Sequence, residues 1–297
     1  IMVFHDRFRN HILPEQVHIL NVSFLVPDMR REFGGCAGNI AYNLQMLGGK
    51  PLPMATVGRD FEPYAAWLAQ CRIDTRHIKV MDNTYTAQAF ITTDQDANQI
   101  TAFHPGAMSF AHENRIDEAK GVTLGIVAPD GRDGMIEHAT QFAEANIPFI
   151  FDPGQGLPMF DGDDLRRFIE QATWVAVNDY EAQLLEERTG LSPHEIAERV
   201  EALIITKGTH GSHIYTKQHR LEIPVAPVRE LRDPTGCGDA YRAGLIYGLM
   251  NGLDWETIGR VASLMGAIKI EHHGTQNHRF TFEQFKTRFH AAFGYHL

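Results

Sequence analysis

The chain has few cysteines and no long apolar run, and these shortages exclude several classes of protein. Its 297 residues include only Cys36, Cys71 and Cys237, with no CxxC spacing. This pattern argues against a disulfide framework and a structural zinc site, and it favours a reducing compartment. No stretch reaches the roughly 18 consecutive apolar residues typical of a membrane helix. No secretory signal peptide is visible either, so we expect a cytoplasmic protein.

Positive charge is also in short supply. The chain has 27 Lys and Arg against 37 Asp and Glu, which gives a formal net charge of −10. Such a charge disfavours nonspecific binding to nucleic acid or to an anionic membrane surface, although a local basic cradle for a nucleotide remains compatible with it. No GxGxxG motif follows a strand, which leaves little support for a dinucleotide oxidoreductase. We therefore expect neither a nucleic-acid nor a membrane partner.

The most informative feature that is present is the stretch 233–239, Asp-Pro-Thr-Gly-Cys-Gly-Asp, directly before an apolar-periodic helix. Gly236, Cys237 and Gly238 can present backbone N–H groups at the positive end of that helix, which makes an anion site. Asp239 lies at its rim, where a carboxylate suits the role of accepting a proton from an attacking hydroxyl. The stretch thus predicts phosphoryl transfer to an alcohol. The alternative is a glycine turn with an ordinary helix cap.

A second glycine-rich stretch, Gly-Gly-Cys-Ala-Gly-Asn at 34–39, precedes an amphipathic helix. Gly35 permits a ligand to approach the backbone closely, and the Asn39 amide offers both a donor and acceptors for sugar hydroxyls. A plain helix N-terminus explains this stretch about as well when it is taken alone. Together with 233–239 it supplies an acceptor site and a phosphate site.

Two further groups of residues follow predicted strands. Asn178 and Glu181 fall one helical turn apart and could hold a magnesium ion or its waters, or they could form an N-terminal capping box. Thr206, Lys207 and Gly208 would place backbone and a cation near a nucleotide, with a solvated lysine in a turn as the alternative.

Strand and helix patterns alternate along the chain, which predicts an α/β fold with a doubly wound, mostly parallel sheet flanked by helices. The predicted buried strands are 53–57, 123–128, 147–152, 173–177 and 202–206. The predicted helices are 37–48, 60–70, 134–145, 163–172, 179–188, 192–200, 239–251 and 255–271. We expect one domain over 1–297, with ligands at the carboxyl ends of the strands.

The segments 17–26 and 85–103 depart from this pattern and are predicted to form half-exposed strands. The second contains a predicted hairpin that turns at 94–98. A small β-sheet at the mouth of the cleft would act as a lid that excludes water, whereas the alternative is an ordinary edge hairpin.

With both glycine motifs in place, the chain resembles the ribokinase-like (PfkB) carbohydrate kinase family over nearly its whole length. Pro234 and Cys237 stand where the family usually has Thr and Ala. Within the family the chain is most similar to bacterial and archaeal adenosine (nucleoside) kinases, through the run from Gly34 to Asn43 and through 102–108. The family opens with a central strand and an Asp that binds acceptor hydroxyls. Ile1 lies just past that point, so we expect the start of the protein to precede it.

The resemblance implies an ATP-dependent kinase that acts on the 5′-hydroxyl of a ribonucleoside, most of all adenosine. It implies that Asp239 is the base and that the N–H groups of Gly236, Cys237 and Gly238 stabilise the transferring phosphoryl group. It assigns the remaining roles as follows: Gly35 and Asn39 hold the ribose; Phe24, Gln88 and Phe103 contact the base; Thr206, Lys207 and Gly208 border the nucleotide; and Asn178 and Glu181 organise Mg²⁺.

The resemblance also implies a monovalent cation such as K⁺ near Asp233, and a homodimer formed through the lid. A sugar kinase acting on ribose or a related furanose is the alternative within the class, because its glycine sites would look the same. A non-catalytic nucleoside- or sugar-binding protein is an alternative of another class, and the intact Asp239 argues against it.

Overall fold

The computed structural model describes residues 1–12, 22–96 and 98–297. Its helices are α1 Cys36–Met46, α2 Glu62–Gln70, α3 Arg132–Glu144, α4 Gly162–Gln171, α5 Asp179–Thr189, α6 Pro193–Arg199, α7 Cys237–Met250, α8 Trp255–Ile270 and α9 Phe282–Phe293. Its strands are β1 Met2–Val3, β2 Asp28–Met29, β3 Met54–Gly58, β4 His77–Met81, β5 Gln88–Thr93, β6 Gln99–His104, β7 Gly125–Val127, β8 Phe149–Phe151, β9 Trp174–Asn178, β10 Ala202–Thr206, β11 Ser212–Tyr215 and β12 Arg220–Ile223. No helix in these described ranges is both long and apolar enough to cross a membrane.

The main sheet has six strands in the order β12-β11-β10-β9-β8-β7. Strands β7 to β10 are parallel, whereas β11 and β12 pair antiparallel at one edge. The parallel strands are nearly continuous apolar runs, as expected for strands that are covered on both faces. The structure confirms the predicted α/β fold class, and every predicted buried strand overlaps an observed one. The strand predicted at 53–57 overlaps β3, which lies outside the main sheet and pairs with β4 in a separate two-stranded sheet.

Alternate side chains of these strands enter two separate hydrophobic clusters. Phe151, Val175 and Leu203 pack against α3 to α6 on one face, while Ala176 and Ile204 pack against α1, α7 and α8 on the other. The period of two along a strand produces this division, and it explains why helices are needed on both sides. The result is a three-layer arrangement with α7 lying directly on the sheet.

Several elements were not predicted from the sequence. Strands β4, β11 and β12 are short and only partly apolar, so their patterns do not stand out from the surrounding loops. Helix α9 begins with a capping box in which Thr281 and Gln284 each bond the other's backbone. That Thr-x-x-Gln spacing is a sequence signal that could have located its start.

A second sheet stands apart, with strand order β2-β1-β5-β6. Strands β5 and β6 form an antiparallel hairpin inside the segment 85–103, extended by one residue to His104. The predicted strand at 17–26 is not observed: 17–21 lies outside the described residues, and 22–26 has no strand. The chain pairs at Asp28–Met29 instead, directly after Pro27, which has no N–H to donate to a sheet.

A buried ion pair anchors α7 to the sheet. The Arg242 guanidinium donates to both carboxylate oxygens of Asp152 over 3.1 and 2.9 Å, and also to the Ala176 carbonyl over 3.3 Å. Both charged side chains are nearly inaccessible, at 5% and 7% exposure. Asp152 directly follows β8 and Ala176 lies within β9, so the pair fixes where α7 crosses the carboxyl edge of the sheet.

We predict that Arg242→Ala lowers the free energy of unfolding by about 3–5 kcal/mol, because it leaves the Asp152 carboxylate buried without its partner. Chemical denaturation followed by tryptophan fluorescence measures the change. Arg115→Ala is the matched control: Arg115 pairs with Asp117 at the surface, and such a pair contributes at most about 1 kcal/mol. Equal losses in the two variants would contradict the anchoring role of Arg242.

Candidate active site

The glycine-rich loop before α7 presents backbone N–H groups without partners, and this set differs from the predicted anion site in one donor. Gly236 caps the helix with φ +80°, a conformation that favours glycine. The Cys237 N–H is not available, because it donates to the Pro234 carbonyl over 3.1 Å. Among the described residues, the N–H groups of Gly236, Gly238 and Asp239 have no hydrogen-bond partner. A Cβ at Gly238 would meet nothing within 4 Å, so a ligand has room to approach.

The two glycine motifs meet at Asp239. The Asn39 amide, in the first turn of α1, donates to the Asp239 carboxylate over 2.7 Å, although the two residues are 200 positions apart. Burial raises the pKa of Asp239 to about 6, while hydrogen bonds from Asn39 and the Cys36 thiol oppose the rise. A carboxyl group with this pKa is mostly ionised at neutral pH and is a stronger base than an ordinary carboxylate.

A side-chain network behind Asn39 fixes the orientation of its amide. Gln276 donates to Asn39 Oδ1 over 2.9 Å and to the Tyr64 hydroxyl over 2.6 Å, and its own carbonyl oxygen accepts from Trp67 Nε1 over 2.8 Å. With Oδ1 occupied by a donor, the NH₂ of Asn39 must face Asp239. Gln276 was missed by the sequence analysis, because a lone glutamine in a polar loop carries no signal.

Gln276 belongs to the connecting loop, defined here as His272–His278, which follows α8 and touches both glycine motifs. The Gly274 N–H donates to the Asp233 carboxylate over 2.9 Å, next to the anion site. The Thr275 hydroxyl donates to the Phe33 carbonyl over 2.7 Å, next to α1. The loop therefore holds the two motifs side by side. Because a third segment brings them together, neither motif by itself predicts that they are close.

The carboxyl ends of β9 and β10 lie side by side, with Asn178 opposite Thr206. Asn178 and Glu181 form the capping box that was the alternative reading, since each side chain bonds the other's backbone N–H over 2.7 and 2.8 Å. Burial raises the pKa of Glu181. In the described ranges, no three His, Cys, Asp or Glu side chains converge as metal ligands. The magnesium role of Asn178 and Glu181 stays a prediction.

The loop after β10 lies near the start of α7. Ser212, which pairs with Thr206, shares a hydrogen bond of 2.7 Å with the Tyr241 hydroxyl on α7. Gly208 has φ +54°, and a Cβ there would meet nothing within 4 Å. Thr206, Lys207 and Gly208 thus border the carboxyl edge of the sheet with space above them.

The three predicted base-contacting residues are not brought together. Gln88 donates to the Asp60 carboxylate over 2.8 Å, just before α2. Phe103 pairs with Ala89, so it lies on the opposite face of the hairpin from Gln88. The Phe24 ring packs against Phe4 and Phe8 at centroid distances of 4.8 and 5.1 Å. Successive side chains of a strand point to opposite faces of the sheet. The prediction that Gln88 and Phe103 contact the same base did not take this alternation into account.

The cysteines next to the site are not activated as nucleophiles. Burial raises the pKa of Cys237 to about 11 and that of Cys36 well above its usual range. The Cys237 thiol lies 4.0 Å from the Asp233 carbonyl, behind the loop. This geometry agrees with a small residue that packs the loop from behind.

Comparison with known proteins identifies nucleoside kinases among the proteins similar to this chain. A nucleoside kinase of Methanocaldococcus jannaschii is 32% identical over 266 residues, which cover 89% of this chain and 87% of that protein. The solved structure of Burkholderia thailandensis nucleoside kinase in complex with inosine is 54% identical, with a TM-score of 0.91, and the match covers 99% of this chain and 95% of that one. The same kinase with ADP-inosine gives a TM-score of 0.89 at 56% identity, covering 99% and 93%.

The family model for pfkB family carbohydrate kinases matches residues 9–280, which is most of the chain. The paired glycine motifs, the anion site and the carboxylate between them are consistent with that match. The chain therefore belongs to the pfkB carbohydrate kinase family, and it is a phosphotransferase that acts on an alcohol group.

Proposed function

We propose that this protein is an ATP-dependent ribonucleoside kinase that phosphorylates the 5′-hydroxyl, with adenosine as its preferred acceptor. The observation that carries the proposal is the hydrogen bond between Asn39 and Asp239, which joins a sugar-binding motif to a base beside an anion site. The similar nucleoside kinase of Burkholderia thailandensis, solved in complex with inosine and with ADP-inosine, supports a purine ribonucleoside and an adenine nucleotide donor.

In this mechanism the 5′-hydroxyl lies against Asp239, which accepts its proton as the hydroxyl oxygen attacks the γ-phosphorus. The bond from the γ-phosphorus to the β,γ-bridging oxygen breaks, and ADP leaves. The N–H groups of Gly236, Gly238 and Asp239 stabilise the charge on the transferring phosphoryl group, and such preorganised donors supply much of the catalysis in phosphoryl transfer. Asn39 and the backbone at Gly35 hold the ribose. Because Asn39 already bonds Asp239, it also fixes the position of the base before the substrate arrives.

Thr206, Lys207 and Gly208 would border ATP at the carboxyl edge of the sheet. Asn178 and Glu181 would hold Mg²⁺ through its waters, and their oxygens suit this because Mg²⁺ keeps several waters and takes few protein ligands. The ion would neutralise phosphate charge. Both Glu181 carboxylate oxygens and Asn178 Oδ1 already accept hydrogen bonds within the capping box, so these oxygens would accept from waters of the ion through their remaining lone pairs and would not bind the ion directly.

The small sheet is proposed as the lid, and one of its faces suits a nucleobase. Phe90 and Ile100 lie on the same face as Gln88, which bonds Asp60 just before α2, the helix that supplies Tyr64. Phe90 is 52% exposed and Ile100 is 44% exposed, so both are available to a ligand. Phe90 therefore replaces Phe103 as the proposed aromatic contact with the base.

A sugar kinase acting on ribose or a related furanose is the alternative acceptor class. The exposed apolar side chains Phe90 and Ile100 favour a base-bearing substrate, because free ribose has no apolar surface for them to cover. A non-catalytic binding protein is disfavoured by the raised pKa and the position of Asp239, which binding alone does not require.

We predict that Asp239→Asn lowers kcat by about two to four orders of magnitude while nucleoside affinity changes little, since only the proton acceptor is removed.

The pKa of about 6 for Asp239 leads to a second prediction, which concerns the pH dependence of the reaction. The base acts only when ionised, so kcat/KM of the unmodified protein should fall as the pH drops through about 6, and the residual rate of the variant should lack that inflection. Asp133→Asn, on the exposed surface of α3, is the control. Near-normal turnover of Asp239→Asn would refute the role.

We predict that adenosine has a higher kcat/KM than inosine and than free ribose in a screen with ATP and Mg²⁺. Phe90→Ala should raise the adenosine KM about tenfold, because it removes roughly half of a buried phenyl contact, and should leave ribose unaffected. Met250→Ala, which removes an exposed apolar side chain at the C-terminal end of α7, is the control. A higher kcat/KM for ribose would establish the sugar-kinase alternative, and a higher value for inosine would overturn only the adenosine preference.

We also propose a homodimer formed through the lid. Apolar side chains are exposed on both faces of the hairpin, and a substrate covers only one of them. Phe103, 55% exposed, lies on the face that the substrate leaves open, where a second copy of the chain would cover it.

Phe103→Glu should shift the protein from dimer to monomer in light scattering, because the interface would bury an unpaired charge. Phe103→Leu should remain dimeric. A monomeric unmodified protein at micromolar concentration would rule out this assembly.

A further inference from the structure

Lys269 is a fully buried lysine at the C-terminal end of α8, with 0% of its surface exposed. An ammonium group is rarely taken out of water unless it is paired, because burial disfavours its charged form. Burial does lower the pKa of Lys269, and the Asp233 carboxylate opposes this effect. Neither the sequence analysis nor the proposed mechanism gives this residue a role.

The contacts of Lys269 link the two segments that build the site. Its Nζ donates to the Asp233 carbonyl over 2.7 Å and to the His272 carbonyl over 3.1 Å. Asp233 opens the glycine-rich loop, and His272 opens the connecting loop. The Asp233 carboxylate continues the linkage, since it accepts from the N–H groups of Thr235 and Gly274 over 3.0 and 2.9 Å. One ammonium group thus lies at the point where both loops begin.

This arrangement does not fit a monovalent cation bound through Asp233, which the family resemblance implies. The carbonyl and both carboxylate oxygens of Asp233 already accept hydrogen bonds. The Arg30 guanidinium also approaches the carboxylate at 3.8 Å and the Glu32 carboxylate at the same distance. The charges of Lys269 and Arg30 are therefore balanced by Asp233 and Glu32, and an added cation would be repelled at close range.

We propose that Lys269 is a positioning residue whose ammonium group serves as a built-in cation for the glycine-rich loop, so that phosphoryl transfer by this protein needs no monovalent metal ion. The claim about phosphoryl transfer rests on the proposed kinase function. The claim that the ammonium group takes the place of an ion does not depend on that function. Lys269 acts through the loop backbone and does not touch the reacting atoms.

The test compares the unmodified protein with Lys269→Ala in KCl, NH₄Cl or N-methylglucamine chloride at equal ionic strength. The unmodified protein should show the same kcat and the same Tm in all three salts. Lys269→Ala should lose about 100-fold in kcat through misplacement of the loop, with nucleoside KM nearly unchanged. Because the substitution opens a cavity beside the Asp233 carbonyl, K⁺ or NH₄⁺ should raise both its Tm and its kcat in a saturable way, and N-methylglucamine should not.

Two further variants separate the possible outcomes. Lys269→Met fills the volume without the charge, so it should fold but remain slow in every salt; full activity of this variant would overturn the proposal. Lys120→Ala removes an exposed lysine in the loop before β7 and should behave like the unmodified protein. A K⁺ requirement of the unmodified protein, in Tm or kcat, would also overturn the proposal. If the unmodified protein phosphorylates no nucleoside, the proposed function fails, while the Tm measurements still decide whether Lys269 replaces an ion.

Discussion

The buried ion pair between Arg242 and Asp152 is the constraint on which the site depends. It ties α7 to the carboxyl edge of the main sheet, and Asp239 lies one helical turn before Arg242 on the same helix. The position of Asp239, the direction of the helix dipole and the place of the N–H groups at the start of α7 all follow from that anchor. Taking two charges out of water is costly, and the bidentate geometry with a third bond to the Ala176 carbonyl offsets the cost.

A second set of polar contacts sets the distance between the two glycine motifs. The connecting loop bonds Asn39 through Gln276 and Asp233 through Gly274, so the proposed acceptor and phosphate sites share one support. The Lys269 ammonium group bonds the carbonyls of His272 and Asp233, the first residues of this loop and of the glycine-rich loop. Buried polar networks of this kind specify one arrangement, because each unsatisfied group would carry its full desolvation cost.

The site and the small sheet contrast in how they are held. The base, its Asn39 partner and the anion donors lie among buried side chains and helix starts. The hairpin of β5 and β6 exposes apolar side chains on both faces, and Gln88 contacts the main body through Asp60. Apolar side chains that are open to solvent in this way would suit the proposed lid, which must exclude water while substrate is bound.

The α/β class follows from the sequence alone, because the short apolar runs of the buried strands and the helical periodicity between them are local patterns. The sequence also located the two glycine motifs and Asp239. What those residues contact depends on how distant segments pack together. Gln276 and Lys269 are single polar residues without a motif, and their partners lie far away along the chain, so no local pattern identifies them. The faces of Phe90 and Phe103 depend on strand register, and the Cys237 N–H is used by Pro234 because of the shape of the turn. Pairing across distant segments is a property of the packed molecule, which explains why the sequence predicted the elements better than their contacts.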